Sequence, residues 1–167
     1  MTWIEVNDRF QSNYCYRLEC AEGQDFDNDF KPQLTPMEML RLGVFGGCYM
    51  TDGANEFPSH WFAGAKLSPG KYNSSVNYFS VEASQSLQVW KAKGWLYHED
   101  PRGWFQWYCR YYRGRRIEVE DRRQIKRWRA FRRHWMAVIH YCEPFDHNCR
   151  KKQRQALLHW AYDSRNI

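Results

Sequence analysis

The sequence predicts a mainly α fold: a compact, single-domain helical bundle over residues 1–167, with an irregular or short-stranded N-terminal region (1–34) ahead of a helical core (35–167) whose C-terminal half is basic. Three observations lead there. Apolar residues recur at helical spacing through the second half of the chain. Proline, glycine and capping residues stand where those stretches begin and end. Aromatic residues, at 18%, bring enough buriable area for a core in a chain of this length.

From the N-terminus, residues 1–33 alternate only weakly. Cys15-Tyr16-Arg17-Leu18-Glu19 reads as a short strand, and Asp25, Asp27 and Asp29 mark a polar, turn-rich stretch. A first helix is signalled by Thr35 as N-cap, Pro36 at the first helical position and Glu38 completing a capping box; it should cover 37–42 and end at Gly43, Gly46 and Gly47. Residues 51–81 read as loop around the aromatic pair Trp61-Phe62. Ser84 opens a helix over 84–93, with Leu87 and Trp90 three apart and Gly94 placed to stop it. Asp100-Pro101 reads as an N-cap and first-position pair for a helix running to about 113, closed by Gly114. A longer helix is expected over 121–141 and a last one over 150–162. No internal repeat or low-complexity linker interrupts the chain.

Composition excludes some classes. No stretch approaches 18 consecutive apolar residues, so no membrane partner is expected. The first ten residues contain Glu5, Asp8 and Arg9 and no apolar run, which predicts no export signal and a cytoplasmic location, or a nuclear one in a eukaryote. In such a reducing compartment the six cysteines are expected as thiols or metal ligands rather than disulfides. The net charge of +6 conceals a split. Residues 1–100 carry 8 Lys/Arg against 13 Asp/Glu, whereas residues 101–167 carry 17 against 6. Such a dipole presents one end to a polyanion, although a well-solvated surface explains it equally well.

The 121–141 segment resolves into two faces. Ile125, Trp128, Phe131, Trp135, Val138 and Cys142 follow helical spacing and form the stripe expected to be buried. Arg122, Lys126, Arg129 and Arg133 lie almost opposite, with His140 in register and Arg123, Arg127 and Arg132 alongside. Like charges three or four apart destabilise an isolated helix by a few tenths of a kcal/mol per pair, so acidic groups of the chain or an external polyanion should offset them. The preceding segment, 101–113, carries rings around more than half its circumference, with Arg102, Gln106, Arg110 and Arg113 on the remainder. It is either the central aromatic helix of the core or a surface on which Trp107, Tyr111 or Tyr112 stacks a base beside arginine, an interaction of about 1–3 kcal/mol. Over 102–133 there are 12 Lys/Arg against 3 Asp/Glu.

Other signals are weaker. The glycine turn 42–47 faintly resembles the phosphate-holding turn of a helix-hairpin-helix but lacks its Pro-Gly pair, and a simple helix stop explains it. His140-x-Cys142 and His147-x-Cys149 place soft ligands close together in an order that matches no zinc motif. Cys142, His147 and Cys149 are candidate zinc ligands beside their plainer reading as thiols, and no other cofactor is expected. No nucleophile elbow, P-loop or zinc-protease motif is present. Glu99, Asp100 and Asp163 are candidate catalytic acids, with Asp100 also explained as a cap and Asp163 as a surface residue.

The run Asp100-Pro101-Arg102-Gly103-Trp104-Phe105-Gln106-Trp107-Tyr108-Cys109-Arg110-Tyr111-Tyr112-Arg113-Gly114-Arg115-Arg116 resembles a family of small uncharacterised proteins. The segment 153–163 (Gln-Arg-Gln-Ala-Leu-Leu-His-Trp-Ala-Tyr-Asp) is similar too, and the likeness would cover most of 34–167. It implies no activity, fold or catalytic residue.

The leading expectation is nucleic-acid binding through Arg110, Arg113, Arg115, Arg116, Arg122, Lys126, Arg129 and Arg133, with Trp107 or Tyr111 stacking. The alternative is an enzyme holding a nucleobase or other planar molecule among Trp104, Trp107 and Tyr108, with Glu99 as base. A third class is a scaffold whose basic face docks an acidic protein. The first requires guanidinium groups not consumed by the chain's own carboxylates and rings that remain accessible.

Overall fold

The structure, a computed structural model describing Met1–Ile167, is mainly helical with one two-stranded sheet. In chain order it contains β1 (Thr2–Val6), β2 (Tyr14–Leu18), α1 (Pro36–Arg41), α2 (Leu87–Ala92), α3 (Trp104–Arg113), α4 (Glu118–Tyr141) and α5 (Lys151–His159), with four short 3-10 turns. No helix is long and apolar enough to cross a membrane. The chain divides into two compact units, Met1–Lys31 with Gln85–Arg127 and Pro32–Ser84 with Trp128–Ile167, and the boundary falls within α4.

In the first unit, β1 and β2 pair antiparallel, with Ile4 opposite Tyr16 and Val6 opposite Tyr14. The core is built on α3, where every side chain from Trp104 to Tyr111 is buried. Phe30 meets Trp107, Tyr108 and Tyr111 at ring distances of 5.5–5.6 Å, and Phe26 meets Tyr111 at 5.3 Å. Each such enclosed ring contributes about 1.5–3 kcal/mol of burial. The arc of rings too wide for one neighbour therefore marks a central helix.

Helix α3 starts later than Asp100-Pro101 suggests. Residues 100–103 form a turn in which the Gly103 N–H donates to the Asp100 carbonyl (2.9 Å), and Asp100 is no N-cap. Gly103 has φ +91°, and a Cβ there would press on the Trp90 ring at 3.1 Å, so glycine is required. Gly114 closes α3 in the left-handed region (φ +115°), as expected, and a Cβ there would collide with the Cys20 carbonyl. Helix α2 is capped by Ser86 rather than Ser84. Helix α4 begins three residues ahead of Asp121, with Glu118, Glu120 and Asp121 in its first turn, where negative charge suits the helix dipole.

In the second unit, Thr35, Pro36 and Glu38 form the expected capping box of α1. Residues 51–81 are loop with three 3-10 turns, two of them around Gly53–Asn55 and Ser59–Trp61. The glycine turn is buried: Ser68 N–H donates to the Gly47 carbonyl and Asn73 N–H to the Gly46 carbonyl, so it serves internal packing. Trp128 stacks on Tyr162 at 4.9 Å and Phe131 on Trp160 at 5.1 Å, joining α4 to the C-terminal segment. The Tyr162 hydroxyl donates to the Trp128 carbonyl (2.7 Å), and the Trp128 indole to the Trp160 carbonyl (2.9 Å). Helix α5 stops at His159, three residues short of the expected end, because Ala161 turns into the left-handed region (φ +60°).

A candidate polyanion-binding face

The arginines of α3 and the turn after it lie inside the first unit. Arg110 is 0% exposed. It donates to the Asp100 carboxylate (3.0 Å), the Glu99 carbonyl (2.6 Å) and Gln11 (2.8 Å). Arg115, also buried, takes the other Asp100 oxygen at 2.6 Å and reaches the Tyr14 hydroxyl at 3.1 Å. One carboxylate thus holds two guanidinium groups, and its charge keeps Arg115 protonated in spite of the burial that opposes charge. Tyr14 donates in turn to Glu99 (3.0 Å), and burial pushes its hydroxyl up to about 12 despite the charge of Arg115.

Four of the ten residues expected to bind nucleic acid are therefore enclosed. Besides Arg110 and Arg115, Trp107 is 0% exposed with its indole donating to Asp121 (2.8 Å), and Tyr111 is buried with its hydroxyl accepting from the Asp27 N–H (2.9 Å). The physical reason is the wide arc of rings on α3: a helix with rings around more than half its circumference is driven inside, and its polar members follow it with partners. Arg116 is half-buried and donates to the carbonyls of Tyr111, Arg115, Gln24 and Asp25, with its guanidinium 3.8 Å over the Tyr111 ring. Arg113 is half-buried and lines a shallow depression with Met1, Leu18, Glu19 and Cys20.

The stripe on α4 fares differently. Arg122, Lys126, Arg129 and Arg133 are all exposed, as is His140 beyond them, while Ile125, Trp128 and Val138 opposite are buried and Phe131, Trp135 and Cys142 half-buried. Arg122 pairs with Glu118 (2.5 Å) and Arg123 with Glu120 (2.7 Å), both within α4. Lys126 and Arg133 donate to nothing within the chain. Arg132 is exposed too, and it and Arg129 lie close enough to Tyr162 for their charges to favour its ionised form, although burial outweighs them and holds the hydroxyl at about 12.

Sequence reasoning missed the segment between α4 and α5. Tyr141 (64% exposed) and Phe145 (66%) stand out, and Arg150, Lys151 and Lys152 are exposed nearby in sequence. Val138, Tyr141 and Phe145 keep the 3, 4 spacing of a buried stripe, so periodicity offered no signal that 141 and 145 are exposed.

The candidate metal ligands do not assemble. Cys142 and Cys149 form a disulfide with Cα atoms 5.8 Å apart, which corrects the expectation of thiols for this pair. Two cysteines flanking a six-residue turn at the end of a helix are brought within bonding distance by the fold. His147 contacts the Arg165 carbonyl (3.0 Å), and no group of three or more His, Cys, Asp or Glu side chains could hold a metal ion. These residues do not fit zinc.

The candidate acids have structural partners. Glu99 accepts from Tyr14, and Asp100 is consumed by Arg110 and Arg115. Asp163 is buried rather than at the surface and caps the final turn. Burial pushes its carboxyl up, but the hydrogen bonds and charge of Arg165 with the amide of Asn166 prevail and hold it below the usual carboxylate range. Trp104, Trp107 and Tyr108 are enclosed in the core and present no face to a planar substrate.

No family model, curated protein or solved structure matches this chain.

Proposed function

We propose that the protein binds the phosphate backbone of a nucleic acid through the exposed face of α4, using Arg122, Lys126, Arg129 and Arg133. One observation carries the reading: four basic side chains at helical spacing share one solvent-facing side of a 24-residue helix whose opposite side supplies the core. Their mutual repulsion is an electrostatic liability that a polyanion relieves. Arg110, Arg115, Trp107 and Tyr111 have no part in it, because each is enclosed by its own unit.

The test is anisotropy of a labelled oligonucleotide at rising salt. With about four phosphate contacts, affinity should fall roughly a hundredfold between 50 and 200 mM salt. Arg129→Gln and Arg133→Gln should each reduce the salt slope by about one. Binding that ignores salt, or that survives both substitutions unchanged, overturns the reading. An acidic protein partner is the competing occupant, and polyglutamate displacing the oligonucleotide at equal charge would favour it.

A further inference from the structure

The second unit carries a feature at the end of α4 that the basic stripe does not use. Residues 142–149 form a loop closed by the Cys142–Cys149 disulfide and braced from within: Asp146 N–H donates to the Glu143 carbonyl (3.1 Å), His147 N–H to the Phe145 carbonyl (2.9 Å) and Asn148 N–H to the Asp146 carboxylate (3.1 Å). His147 ties the loop to the Arg165 carbonyl. At its tip Phe145 adopts φ +63°, a left-handed conformation that bulky side chains rarely occupy, and the ring faces solvent without a ring partner. A large apolar ring held outward in a strained conformation by a cross-linked loop is a costly arrangement for a residue with no task. Tyr141, in the last turn of α4, is exposed as well, with the Arg150 guanidinium 4.3 Å from its ring centroid.

The charge exposed along this part of the unit favours an anionic occupant. Between 129 and 152 the unit exposes Arg129, Arg132, Arg133, Arg150, Lys151 and Lys152 against Glu143 and Asp146. Helix α5 begins with cations, has no acidic residue in its first turn, and its N-cap Arg150 makes no side-chain cap. That is the reverse of what the helix dipole prefers and is relieved by a phosphate rather than by an apolar partner.

Resting on the nucleic-acid reading above, we propose that the ligand is a single strand, with unpaired bases stacking on Phe145 and Tyr141 while Arg129, Arg132 and Arg133 hold its backbone. Only unpaired bases present a face to such rings; a duplex hides them. The guanidinium over Tyr141 forms one side of a sandwich whose other side a base completes.

The experiment compares a labelled single strand with a duplex of the same length, on the wild type and on Phe145→Ala, Tyr141→Ala and Phe145→Trp. The single strand should bind about tenfold or more tighter than the duplex, and each alanine should weaken it about tenfold, the factor expected of one stacked base. Duplex affinity and the salt slope should not change, and Phe145→Trp should restore single-strand binding. A strand carrying 2-aminopurine should be quenched by the wild type and not by the alanine variants. Equal, salt-dependent binding of strand and duplex that ignores both alanines overturns the stacking site and leaves the backbone reading intact. Binding of neither overturns both, and co-sedimentation with anionic phosphatidylserine vesicles in that case assigns the rings to a lipid surface. Circular dichroism melts matching the wild type confirm that the variants are folded.

Discussion

Helices α3 and α4 share a composition of arginines and rings, and they dispose of it in opposite ways. On α3 the rings occupy most of the circumference, so the helix sits at the centre of its unit and carries Arg110 inside with it. On α4 the rings hold one side and the basic residues the other, so Arg122, Lys126, Arg129 and Arg133 stay in water. What separates the outcomes is the angular distribution of apolar residues, together with a carboxylate, Asp100, positioned to accept two buried guanidinium groups. An arginine-rich aromatic helix thus keeps its charges in water only where no group of its own unit covers them. On α3 the polar residues also share one side, and that side is enclosed because Asp100 and the Glu99 carbonyl cover it.

The strongest way to break this contrast is Asp100→Asn. It leaves Arg110 and Arg115 buried without their counter-charge and should cost about 3–5 kcal/mol, a large share of the stability of a domain. Urea unfolding monitored by tryptophan fluorescence measures it, and an unchanged midpoint would mean that Asp100 does not hold the interior arginines.

A smaller effect comes from a buried base that has no carboxylate at all. His159, in α5, is enclosed with Gln155 at 3.2 Å, and burial lowers its pKa from 6.5 to about 4 despite an opposing hydrogen bond with the Val44 backbone. The unfolded chain therefore binds the proton more readily between those two values. The neutral imidazole's contribution to stability is complete above about pH 6.5 and is lost as pH falls toward 4, a change of about 3 kcal/mol. Melting temperature followed from pH 7 to 4 should decline in the wild type and be flatter in His159→Leu, whose overall stability is lower. Parallel pH profiles for the two proteins would show that this histidine is not the titrating group.

The smallest effect sharpens the other side of the comparison. Lys126→Gln with Arg133→Gln removes exposed cations that donate to nothing within the chain, so stability should stay within about 0.5 kcal/mol of wild type. Relief of repulsion with Arg122 and Arg129 one turn away should make any change favourable, by a few tenths of a kcal/mol. Thermal melts at low salt resolve this. A loss of more than about 1 kcal/mol, beyond what surface substitutions cost, would make the α4 face structural, like the interior of α3.

Much of this was legible in the residues. The capping box at Thr35, the stop at Gly114 and the two faces of α4 depend on interactions within a turn or two of chain, and each is present in the structure. Asp100 misled, because an Asp-Pro pair is locally an adequate cap, and only partners 10 and 15 residues onward gave its carboxylate a better use. The Cys142–Cys149 pair misled for a related reason: the inference from compartment to thiol says nothing about two side chains that a turn brings together. The exposure of Phe145 and Tyr141 was not legible, since both continue the helical spacing of Val138 and the helix ends at Tyr141.

By itself, then, the sequence determined the mainly helical character, the cap of α1, the stop of α3 and the side of α4 that meets water, because backbone hydrogen bonding and helical periodicity act over a few residues. Tertiary structure alone decided that Arg110, Arg115 and Arg154 are charges in a core. That choice turns on whether distant acceptors arrive within hydrogen-bonding distance, the Asp100 carboxylate for Arg110 and Arg115 and the Cys149, Ser164 and Ile167 carbonyls for Arg154, and local spacing carries no information about long-range approach.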